Sequence, residues 1–150
     1  LISPQGQATR GTRRLIRKLA DMGLPIYVFN DCDAWGWYIY WTIKTGSINL
    51  AYMGSEIATP EAKFLGVTME DIEHYDFLKK MVMKATEVDI KRAQDMLNYS
   101  WINKHKAWVE ELGKVIKTKT KLEQDTLQGP RLSFIGEYIK EKIAAKKFLP

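Results

Sequence analysis

The segment from Pro25 to Trp41, "PIYVFNDCDAWGWYIYW", constrains this chain more than any other. A continuous apolar run stops at two aspartates one residue apart, and an aromatic-rich stretch follows at once. "LPIYVFN" is β-branched and aromatic without polar alternation, the pattern of a strand covered on both faces. In an extended strand, residues two apart point the same way and lie roughly 6.5 Å apart along the chain. Asp31 and Asp33 therefore present their carboxylates on one side, at the carboxyl end of a strand, where open parallel sheets bind ligands. Two readings of the pair stay open from the residues alone. The aspartates cap the following helix or shape a turn, as Asp commonly does. Alternatively they hold a divalent cation that relieves their repulsion, and Mg²⁺ suits a site of one or two carboxylates plus phosphate oxygens. A phosphatase with an aspartyl nucleophile also opens with D-x-D, but usually continues with Gly-Thr; Ala34-Trp35-Gly36 stands here instead. Cys32 reads as a small buried filler.

Around this segment, helical and extended patterns alternate. "TRRLIRKLADM" gathers Leu15, Ile16, Leu19 and Met22 on one side and stops at Gly23. "WGWYIYWTIKTG" fits a helix ending at Gly46, although its composition also permits a strand. "SINLAYM" and "AKFLGV" read as strands, and "TMEDIEHY" as a short helix with Thr68 and Asp71 in capping-box positions. From Ala85 the chain turns polar and Lys/Glu-rich. Helices are expected from Thr86 to Leu97, over "INKHKAWVEELGKVIKTK", for a turn or two over "TKLEQDTLQ", and over "LSFIGEYIKEKIAAK". The alternation implies a parallel sheet with right-handed crossovers, covered by the helical second half: an α/β fold.

With 150 residues and 45% hydrophobic content, the chain can bury one domain's core. The net charge of +5 permits a polyanionic partner. A single cysteine excludes an internal disulfide framework and fits a reducing compartment. No apolar run approaches the roughly 20 residues that span a bilayer. The start at Leu1 lacks an initiator Met and reads as cut from something longer. Arg10, Arg13, Arg14 and Arg17 fall at i, i+3, i+4 and i+7, a guanidinium stripe opposite Leu15, Leu19 and Met22 if the helix begins near Thr9. Arg forks phosphate oxygens bidentately, and in an α/β unit this stripe and the aspartates border one crevice. His74 and His105 have no partner at ligand spacing and read as surface or packing residues.

"GLPIYVFNDCDAWGWYIYWTIKTGSINLAYMGSEIATPEAKFLGVTMEDI" resembles the A subunit of archaeal type IIB DNA topoisomerases (topoisomerase VI), relatives of the meiotic double-strand-break transesterase. The likeness continues through "GQATRGTRRLIRKL", "KATEVDIKRAQDML", "HKAWVEELGKVI" and "LSFIGEYIKEKI", nearly the whole chain. "GSINLAYMGSEIATPEAKFLG" is its most specific part, because no generic rule demands that string. The resemblance implies a Toprim domain: a Rossmann-like, mostly parallel sheet flanked by helices, with a helical carboxyl-terminal portion. One domain is expected over 1–150, with an α/β core at 1–84 and a mainly helical extension at 85–150. Asp31 and Asp33 match the D-x-D that holds Mg²⁺. The family's further Glu ends a first strand expected upstream of Leu1, and its nucleophilic Tyr belongs to an upstream winged-helix domain. No catalytic residue is therefore expected in this chain. The implied partners are double-stranded DNA, a second A subunit in a homodimer, and a B subunit that binds ATP; no membrane is implied, and the setting is cytoplasmic and nucleoid-associated. A non-catalytic dimerisation and DNA-scaffold module is the alternative. A Toprim nuclease or primase requires the missing Glu and does not explain "GSINLAY".

Overall fold

The computed structural model describes residues 1–3, 6–46, 54–129 and 133–149. Helix α1 (Arg10–Asp21) starts where Thr9 turns extended and its hydroxyl accepts the Thr12 N–H. It ends at Gly23, whose φ of 83° only glycine adopts without strain. The buried face of α1 differs from the expected apolar stripe. Leu15 and Met22 are 48% and 76% exposed, whereas Arg13 and Ile16 are 5% and 8% exposed. The helix packs on α3, a single turn at Gly54–Ile57, and that contact rather than the Leu/Met stripe sets its rotation.

Strand β1 (Tyr27–Val28) is shorter than the apolar run that contains it. It pairs in parallel with β2 (Lys63–Phe64), Tyr27 opposite Lys63 and Val28 opposite Phe64. Between them lies helix α2 (Ala34–Thr45), which resolves the helix-or-strand ambiguity of its aromatic segment and ends at Gly46 as expected. "SINLAYM" lies outside the described residues. Gly66, just past β2, cannot be anything larger: a Cβ there would sit 2.3 Å from the Asn30 carbonyl oxygen. This close approach seats the loop after β2 against the loop that carries the aspartates.

Thr68 opens helix α4 (Met69–His74) with a complete capping box to Asp71, and one turn, α5 (Asp76–Lys79), follows. Strand β3 (Met83–Lys84) leads into α6 (Glu87–Leu97), whose capping box joins Thr86 and Asp89. Helix α7 (Lys106–Thr118) stops because Lys119 turns left-handed, at φ 55°. That break releases Thr120 and Lys121, expected to be helical, as strand β4 (Thr120–Lys121), antiparallel to β3. A 3₁₀ turn at Gln124–Gln128 and helix α8 (Phe134–Ala144) complete the order. The fold is mixed α/β. Among the described residues the sheet is less uniform than expected, with one parallel pair, one antiparallel pair, and single bridges at Cys32–Leu122 and Phe64–Leu149.

The core is aromatic. Trp37, Tyr40 and Trp41 of α2 meet Phe64 and Trp108, and Tyr40 stacks on Trp108 at 5.4 Å. Each such pair contributes about 0.5–1.5 kcal/mol beyond area burial. These rings fix α2 in place, and with it the residue that caps it. No helix among the described residues is long and apolar enough to cross a membrane.

Candidate functional site

The D-x-D tripeptide leaves β1 extended and is held on two sides. Cys32 exchanges both backbone hydrogen bonds with Leu122, at 2.8 and 3.1 Å. Its side chain points inward, fully buried, and burial pushes the thiol well up, so it is inert packing. Asp31 and Asp33 flank it and face the other way, as the alternation of extended backbone requires.

Each aspartate is anchored through one oxygen. Asp31 Oδ1 accepts the Gln124 N–H at 2.8 Å, from the start of the 3₁₀ turn. Asp33 Oδ1 accepts the Gly36 N–H at 2.6 Å and caps α2. The structure thus bears out the cap reading of Asp33, whose carboxylate also feels the charge of Asp31. Gly36 makes this possible, because a Cβ there would meet the Asp31 carbonyl oxygen at 2.7 Å. Burial raises the Asp33 carboxyl above its ordinary range; the Gly36 bond opposes this, and the charge of Asp31 adds to it.

The pair fits a hard divalent cation. Among the described residues, Oδ2 of each aspartate makes no hydrogen bond or ion pair. Two free oxygens on fixed carboxylates are the donor chemistry that Mg²⁺ takes. No group of three or more His, Cys, Asp or Glu side chains gathers among the described residues. A two-carboxylate site leaves the remaining positions to water and phosphate oxygens. Lys121 is the nearest cationic influence: its charge lowers the Asp33 carboxyl, but its ammonium is paired with Asp89 at 3.0 Å. Sequence reasoning missed Lys121, Asp89 and the Gln124 amide. They arrive from α6, β4 and the turn beyond it, far along the chain, and no local pattern marks them.

Arg14 and Arg17 of α1 are engaged with other acids. Arg14 pairs with Glu56 of α3, and Arg17 pairs with Asp21 and, at 3.3 Å, with Glu61. Arg13 is buried beside Tyr38; burial pushes its guanidinium down, and its Nε and Nη1 have no hydrogen-bond partner. Among the described residues, no ion pair or hydrogen bond joins Arg13, Arg14 or Arg17 to Asp31 or Asp33. His105 packs on Trp41 at 5.2 Å and His74 is exposed, in keeping with packing and surface roles.

Two further acids, Glu111 buried and Asp71 half-buried, serve the fold. Glu111 accepts the Met69 and Glu70 N–H groups at 2.5 and 3.3 Å, closing the start of α4 from α7. Burial pushes its carboxyl up to about 6. Asp71 Oδ2 accepts from Thr68 N–H, Thr68 Oγ1, Tyr138 Oη and Lys142 Nζ at 2.9, 2.8, 2.7 and 2.6 Å. Tyr138 and Lys142 also donate to the Gly66 carbonyl, so this knot fastens α8 to the loop behind the site.

Comparison with known proteins shows the family of the chain. The family model for the Toprim domain of the topoisomerase 6 A subunit and Spo11 matches residues 1–143. The A subunit of type 2 DNA topoisomerase 6 from Pyrococcus abyssi is 44% identical, over 100% of this chain and 42% of its own length. That of Aeropyrum pernix is 45% identical, over 95% of this chain and 40% of its own. The DNA topoisomerase 6 A subunit of Arabidopsis thaliana is 31% identical, over 99% of this chain and 35% of its own. The chain spans less than half the length of these relatives.

Proposed function

Since the chain belongs to the family of Toprim domains found in the topoisomerase 6 A subunit and Spo11, we propose that it is the metal- and DNA-binding Toprim domain of a type IIB, ATP-dependent DNA topoisomerase. The observation that carries this reading is the Asp31–Asp33 pair: two adjacent carboxylates, each fixed by one backbone amide and each with an oxygen free. Asp31 and Asp33 hold Mg²⁺ in this reading, and the bound ion supplies positive charge against phosphodiester oxygens. The chain's own part is positional. Gln124 and Gly36 fix the two carboxylates, and Leu122 fixes the backbone between them, so the donors need no reordering when a phosphate arrives. The complete sheet is mostly parallel in this reading, as the β1–β2 pair beside the site is.

Arg10, Arg14 and Arg17 are the proposed contacts to the duplex backbone; Arg13, expected among them from its spacing, turns inward and is 5% exposed. Arg14 exchanges Glu56, and Arg17 exchanges Glu61 and Asp21, for phosphates at small cost, because ion pairs open to solvent are weak. The nucleophilic tyrosine belongs to an upstream winged-helix domain, and none of the tyrosines here takes its place. The partners are an ATP-binding B subunit together with a second copy of the A subunit; the setting is the nucleoid. Incubated with supercoiled DNA and Mg²⁺, this chain alone forms no covalent adduct but binds duplex in a metal-dependent way. An adduct, or duplex affinity indifferent to Mg²⁺ and to Asp31→Asn/Asp33→Asn, contradicts the reading. The second outcome selects a scaffold module, which the N-cap role of Asp33 supports because that role needs no metal.

A further inference from the structure

We propose that Arg92 is a pre-set phosphate fork: stacked on Trp35 and Tyr38, it grips one DNA phosphodiester beside the aspartate pair. The proposal rests on the reading that this chain binds duplex DNA, and it adds a contact on α6 that the arginine stripe of α1 does not include.

The placement follows from the caps. Trp35 lies in the first turn of α2, two residues after Asp33. Asp89, in the first turn of α6, pairs with Lys121, whose charge reaches Asp33. Arg92 is three residues beyond Asp89 and so shares its helix face. That face turns toward α2: the Arg92 Cζ sits 4.0 Å from the centre of the Trp35 ring and 4.9 Å from that of Tyr38. Arg92 therefore borders the same end of α2 that Asp33 caps.

The chemistry separates Arg92 from the α1 arginines. A guanidinium lying on aromatic rings spends its face on the stack and keeps the N–H donors along its edge, the geometry that takes a phosphate bidentately. Arg14 and Arg17 spend those donors on Glu56, Asp21 and Glu61. Among the described residues, Arg92 makes no ion pair or hydrogen bond; its contacts are the two rings. The rings and Arg92 are half-buried, so the side chain is held while an edge reaches solvent. Holding the side chain beforehand removes part of the ordering cost of binding. The nearby Asp89, which would otherwise compete for the guanidinium, is already occupied by Lys121.

The test is duplex binding by the full-length protein, read by fluorescence anisotropy of a labelled duplex over a salt series. Arg92→Ala is expected to weaken binding about tenfold at low salt and to reduce the slope of log K against log salt by roughly 0.9, the share of one phosphate contact. Arg92→Lys keeps the slope but recovers only part of the affinity, since an ammonium neither stacks flat nor forks. Should Arg92→Ala fail to fold, Arg92→Gln, which retains a planar group over Trp35, carries the same expectation. A weaker affinity with an unchanged slope makes Arg92 a packing residue and overturns the proposal. So does a steep wild-type slope that the variants leave untouched, and in that case the DNA-binding reading stands. Salt-independent binding by the wild type overturns both.

Discussion

Two acidic centres, Asp71 and the Asp31–Asp33 pair, show how the same side chain serves different ends. Asp71 is saturated: a single oxygen takes four donors, one of them the Lys142 ammonium, and the knot fastens α8 to the body of the fold. Asp31 and Asp33 are held just enough to be fixed, one backbone amide each, and are left side by side without a bonded cation. The first arrangement gains stability by gathering four donors, an ammonium among them, on one oxygen. The second leaves one oxygen of each carboxylate without a bonded donor, and the proposed metal site rests on that difference. Natural folds depart from local consistency mainly where function requires it.

Breaking the saturated centre has the largest expected effect. Side-chain exposures of 10% and 15% place Lys142 and Asp71 in the regime of buried ion pairs. Lys142→Ala strands the Asp71 charge and costs about 3–5 kcal/mol in denaturant unfolding. Asp31→Asn, at the unsaturated centre, stays within about 1 kcal/mol of wild type. Equal losses at the two centres erase the contrast.

Glu111 sharpens it, because it is buried and bonded to two amides, and its ion pair with Lys114 is long, at 4.0 Å. With its carboxyl raised from 4.5 to about 6, the folded state holds this proton to higher pH than the unfolded chain does. Stability from this group therefore falls as pH rises between about 4.5 and 6, by about 2 kcal/mol, and the penalty is absent below that window, where both states are protonated. Unfolding curves across the range of about pH 4–7 should show this component in wild type and lose it in Glu111→Gln.

The smallest effect separates the two roles of Asp33. Asp33→Ala removes a helix cap and costs about 1 kcal/mol, while Asp33→Asn keeps the cap and sheds the repulsion, leaving stability within about 0.5 kcal/mol. Both variants are expected to lose metal binding. If Asn retains it, the carboxylate is only a cap.

Local chemistry was legible in the sequence and distant chemistry was not. The capping box at Thr68, the helix start at Thr86 and the stop at Gly46 all follow from neighbours a few residues apart. The rotation of α1 did not follow. Its Leu15/Met22 stripe fits a buried face equally well, and only the contact with α3 shows that Arg13 and Ile16 turn inward. Lys121 reaching Asp33, Lys142 reaching Asp71, and Arg92 on Trp35 join residues from separate elements, and periodicity carries no trace of such pairs. The left-handed residue Lys119, which turns expected helix into β4, is equally silent.

The central claim is that Asp31 and Asp33 together seat a divalent cation. Calorimetric titration of Mn²⁺ and Mg²⁺ into wild type and Asp31→Asn/Asp33→Asn tests it most directly. The account predicts a saturable heat near one ion per chain in wild type that vanishes in the double variant. Identical isotherms from the two proteins would contradict it.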